Sequence, residues 1–488
     1  MTDFLNISPL PNYVDGKAFE GKGSYTVLDP HDTSKEIHKV SSITVDDVPA
    51  VIAAAKKALP AWKATSVIER RNIFLKAAAL LRERIPQYIG VEYSETTSSE
   101  GWSGFDLTCA ADHIEETAAA ATLALRGEVA TTDAGQRGYI SRCPYGIVFG
   151  GAPWNAPLIL SQRACTQPII AGNVSILKTS ELSPRTHFIL AQIFADAGLP
   201  AGVLNIIHVA PQDAPAVVEA IIANPAVGKV NFTGSTRVGS IYGALCGKYL
   251  KPIVLELGGK APAIVCADAD LHHAASAIKF GGWFHSGQIC MATQTAIVHE
   301  SVAEEFLSIL KSNMPGLCAS GNPDDKAPLR GLFTEASAKR IKELIDDALS
   351  KGAEVAAGTA DVKGNVVQPL LLKGVTSSMR IYKEEVFGPV FSLLTFKTEE
   401  EAVVIANDHD YGLAASVFSR DTNRAHKLAE GIDAGMVHIN GATVHDAACL
   451  PHGGWKQSGF GRFNGLEGIR EFTQTKVITV NDAHPFPL

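Results

Sequence analysis

The chain has 488 residues and a mass of 51.7 kDa, room for roughly three domains or two large ones at about 150 residues each. Hydrophobic residues make up 46% and charged residues 19%, which excludes an intrinsically disordered chain. Lys and Arg number 43 against 51 Asp and Glu, so the formal charge is −8 and the sequence pI about 6.0, arguing against a nucleic acid or an anionic membrane as main partner.

No apolar run approaches the roughly 18 to 20 residues that span a bilayer, and the opening MTDFLNISPLPNYVDGK lacks a basic n-region followed by an apolar stretch. The expectation is a soluble, cytoplasmic protein. The eight cysteines (109, 143, 165, 246, 266, 290, 318 and 449) are scattered and never form C-x-x-C, so neither a disulfide framework nor a structural zinc site is expected. Most read as small buried hydrophobes.

In chain order, an extended opening gives way to helices. From Thr65 to Ile85, Ser66 is placed to cap a helix with Glu69 three positions on, and Ile73, Leu80 and Leu81 recur at near-helical spacing until Pro86 stops the pattern. An Ala-rich helix follows around Glu115 to Leu125. Gly127 to Cys143 then loses helical periodicity and carries Thr, Gly and Tyr in strand-like order, an excursion from the domain that resumes at Tyr145. From there apolar strands alternate with amphipathic helices: YGIVFG, a helix from Pro157 to Ala171, VSILK, a helix opened by Ser183 and Pro184 and closed by Gly198, VLNIIHV, PAVVEAIIANP, KVNFT, GSIYGALCGKYL and KPIVLEL. Ser caps free N–H groups, Pro loses nothing at the first helical position, and Gly just past the end takes the left-handed conformation. Short, almost continuous apolar strands between such helices indicate a parallel sheet buried on both faces, the doubly wound α/β arrangement. After Gly259 the rhythm restarts with APAIV, helices near Leu271 to Phe280 and Val302 to Leu310, and further elements to about Ile439, which points to a second α/β domain. A Gly-rich loop, PHGGWKQSGFGR, and a strand-like tail, KVITV, close the chain.

Several residues could carry chemistry. Strand KVNFT runs into Gly234, Ser235 and, at a helix start, Gly239, either a phosphate-binding turn or simply a tight connection, since the spacing is not G-x-G-x-x-G. Lys178 and Glu181 stand past the end of VSILK, where a carboxylate could accept from both ribose hydroxyls and would repel a 2′-phosphate; as solvated loop charges they would do neither. Cys290, flanked by Gly287 and Ala292, has the room a nucleophilic thiolate needs. Glu256 interrupts an apolar strand end, either as a general base whose pKa burial raises or as a salt-bridge partner of Lys260. Asn155, between Trp154 and Ala156 in a Pro-flanked turn, could donate to an oxyanion or serve the turn alone. His285 could pair with Cys290 or pack as a core histidine. His272 and His273 lack ligand-spaced partners, and no metal site is expected.

Taken together, PWN-x-P, LKTSE, FTGS-x-x-x-G, LELGGK, GQ-x-C-x-A, EE-x-FGP and P-x-GG-x-K-x-SG-x-GR occur in one order between about 140 and 470. This set resembles the NAD(P)-dependent aldehyde dehydrogenase superfamily. The resemblance implies a dinucleotide-binding domain (1–125 and 145–255), an α/β catalytic domain (256–444), a small β oligomerisation element (126–144 and 471–488) and a Gly-rich loop returning to the cofactor domain (445–470). It implies Cys290 as nucleophile, Glu256 as the base for deacylation, and Asn155 with the Cys290 N–H as oxyanion hole. It also implies cofactor contacts from Trp154, Lys178, Glu181, Gly234, Ser235, Gly239, Leu257, Glu385 and Phe387. Glu181 favours NAD over NADP, and the oligomerisation segments imply a homodimer or homotetramer.

PWNAPLILSQRA is similar to the branch acting on benzaldehyde, vanillin and salicylaldehyde, with Trp283 and Phe284 in loose agreement, which implies an aromatic aldehyde bound near Ala156, Leu160, Arg163 and Met291. HVAPQDAP, from His208 to Pro215, departs from the glycines of many relatives. Three rivals remain at this stage: a CoA-acylating dehydrogenase, which a water-activating Glu256 disfavours; a thioesterase or amidase using Cys290 with His285; and a non-catalytic protein that has kept the scaffold.

Overall fold

A computed structural model describes residues 7–133, 135–322 and 325–483. Residues 1–6, 134, 323–324 and 484–488, which the sequence analysis assigned to the cofactor, oligomerisation and catalytic segments, lie outside the described residues.

Two large sheets organise the chain. In the first, five parallel strands lie in the order Leu204–Ile207, Val174–Lys178, Ile147–Gly151, Val227–Thr233 and Ile253–Glu256. Antiparallel strands border them: Asn12–Val14 and Lys17–Phe19 on one side, Gly459–Phe460 on the other. The chain starts at Ile147–Gly151, builds outward one way, then returns and builds the other way from Val227–Thr233. A crevice therefore opens between those two strands at their carboxyl ends, where doubly wound sheets take ligands.

The parallel strands are buried almost throughout and are rich in Val, Ile, Leu and Phe, since helices cover both faces. Helix Pro184–Ala197 starts with Pro in its first turn and ends at Gly198 with φ of 97°, the left-handed cap that glycine supplies without steric cost. Ser66 and Glu69 form a reciprocal capping box on helix Val67–Glu95, with Ser66 N–H donating to Glu69 Oε2 at 3.0 Å.

That helix corrects one expectation: it does not stop at Pro86 but runs through it to Glu95. Pro removes one backbone hydrogen bond, a local cost of about 3 kcal/mol. Packing against helices Glu100–Ala124 and Pro184–Ala197 outweighs it, with Leu81 before the proline and Tyr88 after it both buried.

The second sheet has the order Glu354–Gly358, Leu370–Lys373, Val390–Phe396, Thr293–His299, Ala261–Val265, Ala414–Phe418 and Met436–Ile439. All its pairings are parallel except that of Glu354–Gly358. A third, antiparallel sheet joins Glu128–Thr131, Gln136–Pro144 and Thr473–Asn481, so the excursion after residue 126 meets the tail of the chain in a nine-residue register. Val129, Tyr139, Val477, Ile478 and Val480 are exposed on it. No helix among the described residues is long and apolar enough to cross a membrane.

Candidate active site

The crevice of the first sheet is a cavity of 340 Å³. Pro153, Trp154 and Asn155 enter it from beyond Ile147–Gly151, Gly234 and Ser235 from beyond Val227–Thr233, and Glu256, Leu257 and Gly258 from the end of Ile253–Glu256. The second sheet contributes Cys290, just ahead of Thr293–His299, and Glu385, Val386 and Phe387, just ahead of Val390–Phe396.

A smaller cavity of 50 Å³ shares Asn155, Leu160 and Cys290 with the first and is otherwise walled by Trp102, Phe105, Ile159, Ile289 and Val444 with Ala156, Met291, Arg163, His445, Asp446 and His452. Cys290 thus stands where two cavities meet, one glycine-lined and one aromatic.

Close backbone approach fixes this junction. A Cβ on Gly259 would lie 2.2 Å from the Cys290 carbonyl oxygen, so only glycine lets the segment after Glu256 pass beneath the cysteine. Gly259 N–H donates to Glu385 Oε1 at 2.9 Å, and Phe387 has φ of 54°, a strained conformation for a bulky residue, at the cavity wall. Asn155 is held at both ends: its carbonyl accepts from Trp102 Nε1 at 3.0 Å, and its Nδ2 donates to the Gln288 carbonyl at 3.0 Å, two residues before Cys290. The second N–H of that amide remains for a ligand oxygen.

Burial and the facing Glu256 carboxylate push the Cys290 thiol well above its ordinary range. For Glu256 the expected direction is reversed. Burial pushes its pKa up, but His452 and Arg163 pull harder the other way, and the carboxyl sits below its ordinary value of 4.5. Nor does it pair with Lys260, whose Nζ donates to the Glu384 carbonyl at 2.9 Å and to Gln294 Oε1 at 3.3 Å, and which burial takes down to about 7. Burial also lifts Glu385 to about 7.

Lys178 and Glu181 lie outside the cavity lining, at the carboxyl edge of their strand, with Nζ 3.9 Å from Glu181 Oε2. Gly239 lies inside helix Thr236–Lys248, packed against Leu257. His285 is buried and stacked on Trp102 at 4.2 Å, a packing role, and burial holds its ring near a pKa of 3. Trp283 packs on Phe391 outside both linings, whereas Phe284 packs on Trp102. His273, at the helix surface, donates from Nε2 to the Asn440 carbonyl at 2.8 Å, and no cluster of metal-ligating residues occurs among the described residues. Sequence reasoning missed Trp102, Phe105, Asp446, His452, Ser337 and Arg340, which reach the cavities from elements remote in sequence.

Residues 18–478 match the profile of the Aldehyde dehydrogenase family. The chain belongs to the aldehyde dehydrogenase family. Among relatives of this dehydrogenase, a vanillin dehydrogenase of Pseudomonas fluorescens is 46% identical over 477 residues, covering 97% of both chains. A salicylaldehyde dehydrogenase of Pseudomonas putida is 40% identical over 459 residues, covering 92% of this chain and 94% of that one. The crystal structure of a salicylaldehyde dehydrogenase from Pseudomonas putida G7, complexed with salicylaldehyde, superposes with a TM-score of 0.94 at 37% identity, covering 98% of this dehydrogenase and 99% of that chain.

Proposed function

We propose that this aldehyde dehydrogenase oxidises an aromatic aldehyde to the carboxylic acid with NAD, through a thiohemiacetal and a thioester on Cys290. The observation that carries the reading is the position of Cys290 at the junction of the two cavities. Trp102 and Phe105 wall the smaller one with aromatic surface suited to a benzaldehyde ring, and small Ala156 lines it beside the nucleophile.

The residues of the larger cavity suit a dinucleotide. Gly234 and Ser235 precede a helix whose first N–H groups favour a pyrophosphate, and Trp154, Leu257, Glu385 and Phe387 would flank the nicotinamide end. Lys178 and Glu181 would hold the adenosine ribose from the neighbouring strand end. A bound nicotinamide would supply the hydride acceptor that turns thiohemiacetal into thioester.

The chain supplies the rest. Glu256 faces the thiol and removes its proton as Sγ bonds to the aldehyde carbon. Asn155 Nδ2 and the Cys290 N–H donate to the developing oxyanion. In the second half, once the thiol proton has passed from Glu256 to solvent, the carboxylate takes a proton from water, whose oxygen attacks the thioester carbon and expels the Cys290 thiolate. Reduced-nicotinamide absorbance with a panel of aromatic and aliphatic aldehydes tests this reading: benzaldehydes should outrank acetaldehyde and betaine aldehyde, Cys290→Ala should be silent, and added CoA should change nothing. Preference for the aliphatic substrates would overturn the aromatic assignment. Glu181 supports NAD over NADP because its carboxylate would meet a 2′-phosphate; equal efficiency with NADP would refute that.

The three-stranded sheet, with its exposed Val129, Val477 and Val480, supports assembly as a homodimer or homotetramer through the segments 126–144 and 471–483, to be read by sedimentation. Under this reading the first sheet with its helices is the cofactor domain and the second the catalytic domain.

A further inference from the structure

The polar wall of the smaller cavity holds a closed ring of four side chains. His452, 1% exposed, places Nδ1 3.6 Å from Asp446 Oδ1 and Nε2 3.8 Å from Glu256 Oε1. Arg163, equally buried, closes the other side, with Nη1 3.8 Å from Glu256 Oε2 and Nη2 bonded to Asp446 Oδ2. Neither nitrogen of His452 and neither oxygen of Glu256 has a hydrogen-bond partner.

Buried polar atoms left in that state cost about 1 to 3 kcal/mol each, and an apolar side chain would fill the same wall without the cost. The gaps between them are within 1 Å of hydrogen-bond length, so a small rotation of the imidazole or the carboxylate closes one. The backbone of His452 does not share that freedom: its N–H donates to the Phe463 carbonyl and its carbonyl accepts from Phe463 N–H, both at 2.8 Å. Asp446 is anchored too, its Oδ1 accepting from Asn464 Nδ2 at 2.7 Å and its Oδ2 lying 3.9 Å from His113 Nε2. One carboxylate thus fixes the ring, and the ring addresses the other carboxylate.

We propose that His452, oriented by Asp446, is a positioning residue that holds the Glu256 carboxylate ionised and aimed for the hydrolysis of the acyl-cysteine. The inference rests on the thioester reading above. His452 acts only through Glu256. In the step it supports, an O–H bond of water breaks, its proton goes to Glu256, the oxygen bonds to the acyl carbon, and the C–S electron pair returns to Cys290 Sγ. The other titratable and charged groups facing the ring are Arg163 and His113 from two helices, Cys290 and Glu385 from the second sheet's loops, and His438 and His445 on the approach to Asp446. Of all these, His452 is the foremost partner holding the Glu256 carboxyl down.

The test is the pH profile of kcat against the pre-steady-state burst of reduced nicotinamide, for wild type, His452→Phe, His452→Gln and Asp446→Asn, with benzaldehyde and NAD. The expected result is an acid limb of kcat displaced to higher pH in His452→Phe, a plateau at least about tenfold lower, and a burst of wild-type amplitude. His452→Gln keeps an N–H donor and should recover part of both; Asp446→Asn should shift the limb the same way by less. Unchanged limb and plateau in His452→Phe would overturn the proposal, as would Phe and Gln variants that behave alike. Should His452→Phe fail to fold, His452→Gln and Asp446→Asn decide alone, and wild-type profiles in both refute it. Absence of any burst in the wild type would instead strike the thioester reading, a separate failure.

Discussion

Replacing Glu256 by Gln removes a carboxylate while preserving nearly every atom of a side chain that is fully buried and has no hydrogen bond to lose. Arg163 keeps its bond to Asp446 in the variant, so no buried cation is stranded and the fold should hold. What disappears, on the proposed mechanism, is the base. A positioned general base contributes roughly 10² to 10⁴ in rate, about 2.7 to 5.4 kcal/mol at 1.36 kcal/mol per decade. Acylation should be hurt less than hydrolysis, because a thiolate is intrinsically a far stronger nucleophile than water, which attacks only when a base takes its proton. Rapid mixing with benzaldehyde and NAD, followed by reduced-nicotinamide absorbance, should therefore show a single turnover per active site and then a steady state depressed by about 10² to 10⁴. A steady state within about tenfold of wild type would refute the assignment of Glu256 as the deacylating base. A burst that vanished with the steady state would move its essential role to acylation.

Gly259→Ala should be nearly inactive, since its methyl group would sit 2.2 Å from the Cys290 carbonyl and move the nucleophile; a displacement of about 1 Å costs roughly 10²-fold in rate, measurable as kcat with wild-type thermal stability as control. Lys229→Met should lower the unfolding free energy by about 1 to 3 kcal/mol, because the buried Lys229 Nζ holds both the Glu471 carbonyl at 2.6 Å and its carboxylate at 2.7 Å, and the variant leaves that carbonyl without its donor; thermal melts read the loss. His187, His208 and His285 are buried with pKa values brought down to about 3 by burial. Below the unfolded value of 6.5 the unfolded chain binds protons these rings refuse, so stability falls as pH drops from 6.5 toward 3, each ring adding up to about 1.4 kcal/mol per pH unit. Melting temperatures of His208→Asn and wild type between pH 7 and 5 check the slope, which should be shallower in the variant.

The alternation from Tyr145 to Glu256 was legible because a parallel sheet covered on both faces admits little but apolar residues, and because Pro184 and Gly198 mark helix ends by local chemistry; Ser183 stands at the N-cap position but its hydroxyl does not cap, the N–H groups of Arg185 and Thr186 donating instead to the Glu95 carboxylate at 2.9 and 2.8 Å. Pro86 misled for the complementary reason: its penalty is local, whereas the packing of Leu81 and Tyr88 that overrides it comes from helices elsewhere in the chain. At the site, Asn155, Gly234 and Glu256 could be placed at strand ends from pattern alone, and those strands do lie side by side. The ionisation of Glu256 could not be read the same way. Its sign depends on Arg163 and His452, which approach from a helix and a distant loop, and nothing in the local sequence of PHGG tells that its histidine turns inward. Trp102 and Phe105 were missed because the helix that carries them begins at Glu100, before its Ala-rich periodicity becomes evident.

The pairing of Gly459–Phe460 with Leu255–Glu256, and of Thr473–Asn481 with Gln136–Pro144, has a consequence for the order in which the molecule is made. Asp446 and His452 complete the wall of the catalytic junction, so a nascent chain shorter than this carries Cys290 and Glu256 without their finished surroundings. During synthesis at about 5 to 20 residues per second, the first sheet waits tens of seconds with one edge open, exposing unpaired N–H and C=O groups to any neighbouring strand. Activity thus arrives last, together with the segment that seals that edge, and late truncations should yield aggregation-prone chains in preference to soluble, partly active ones.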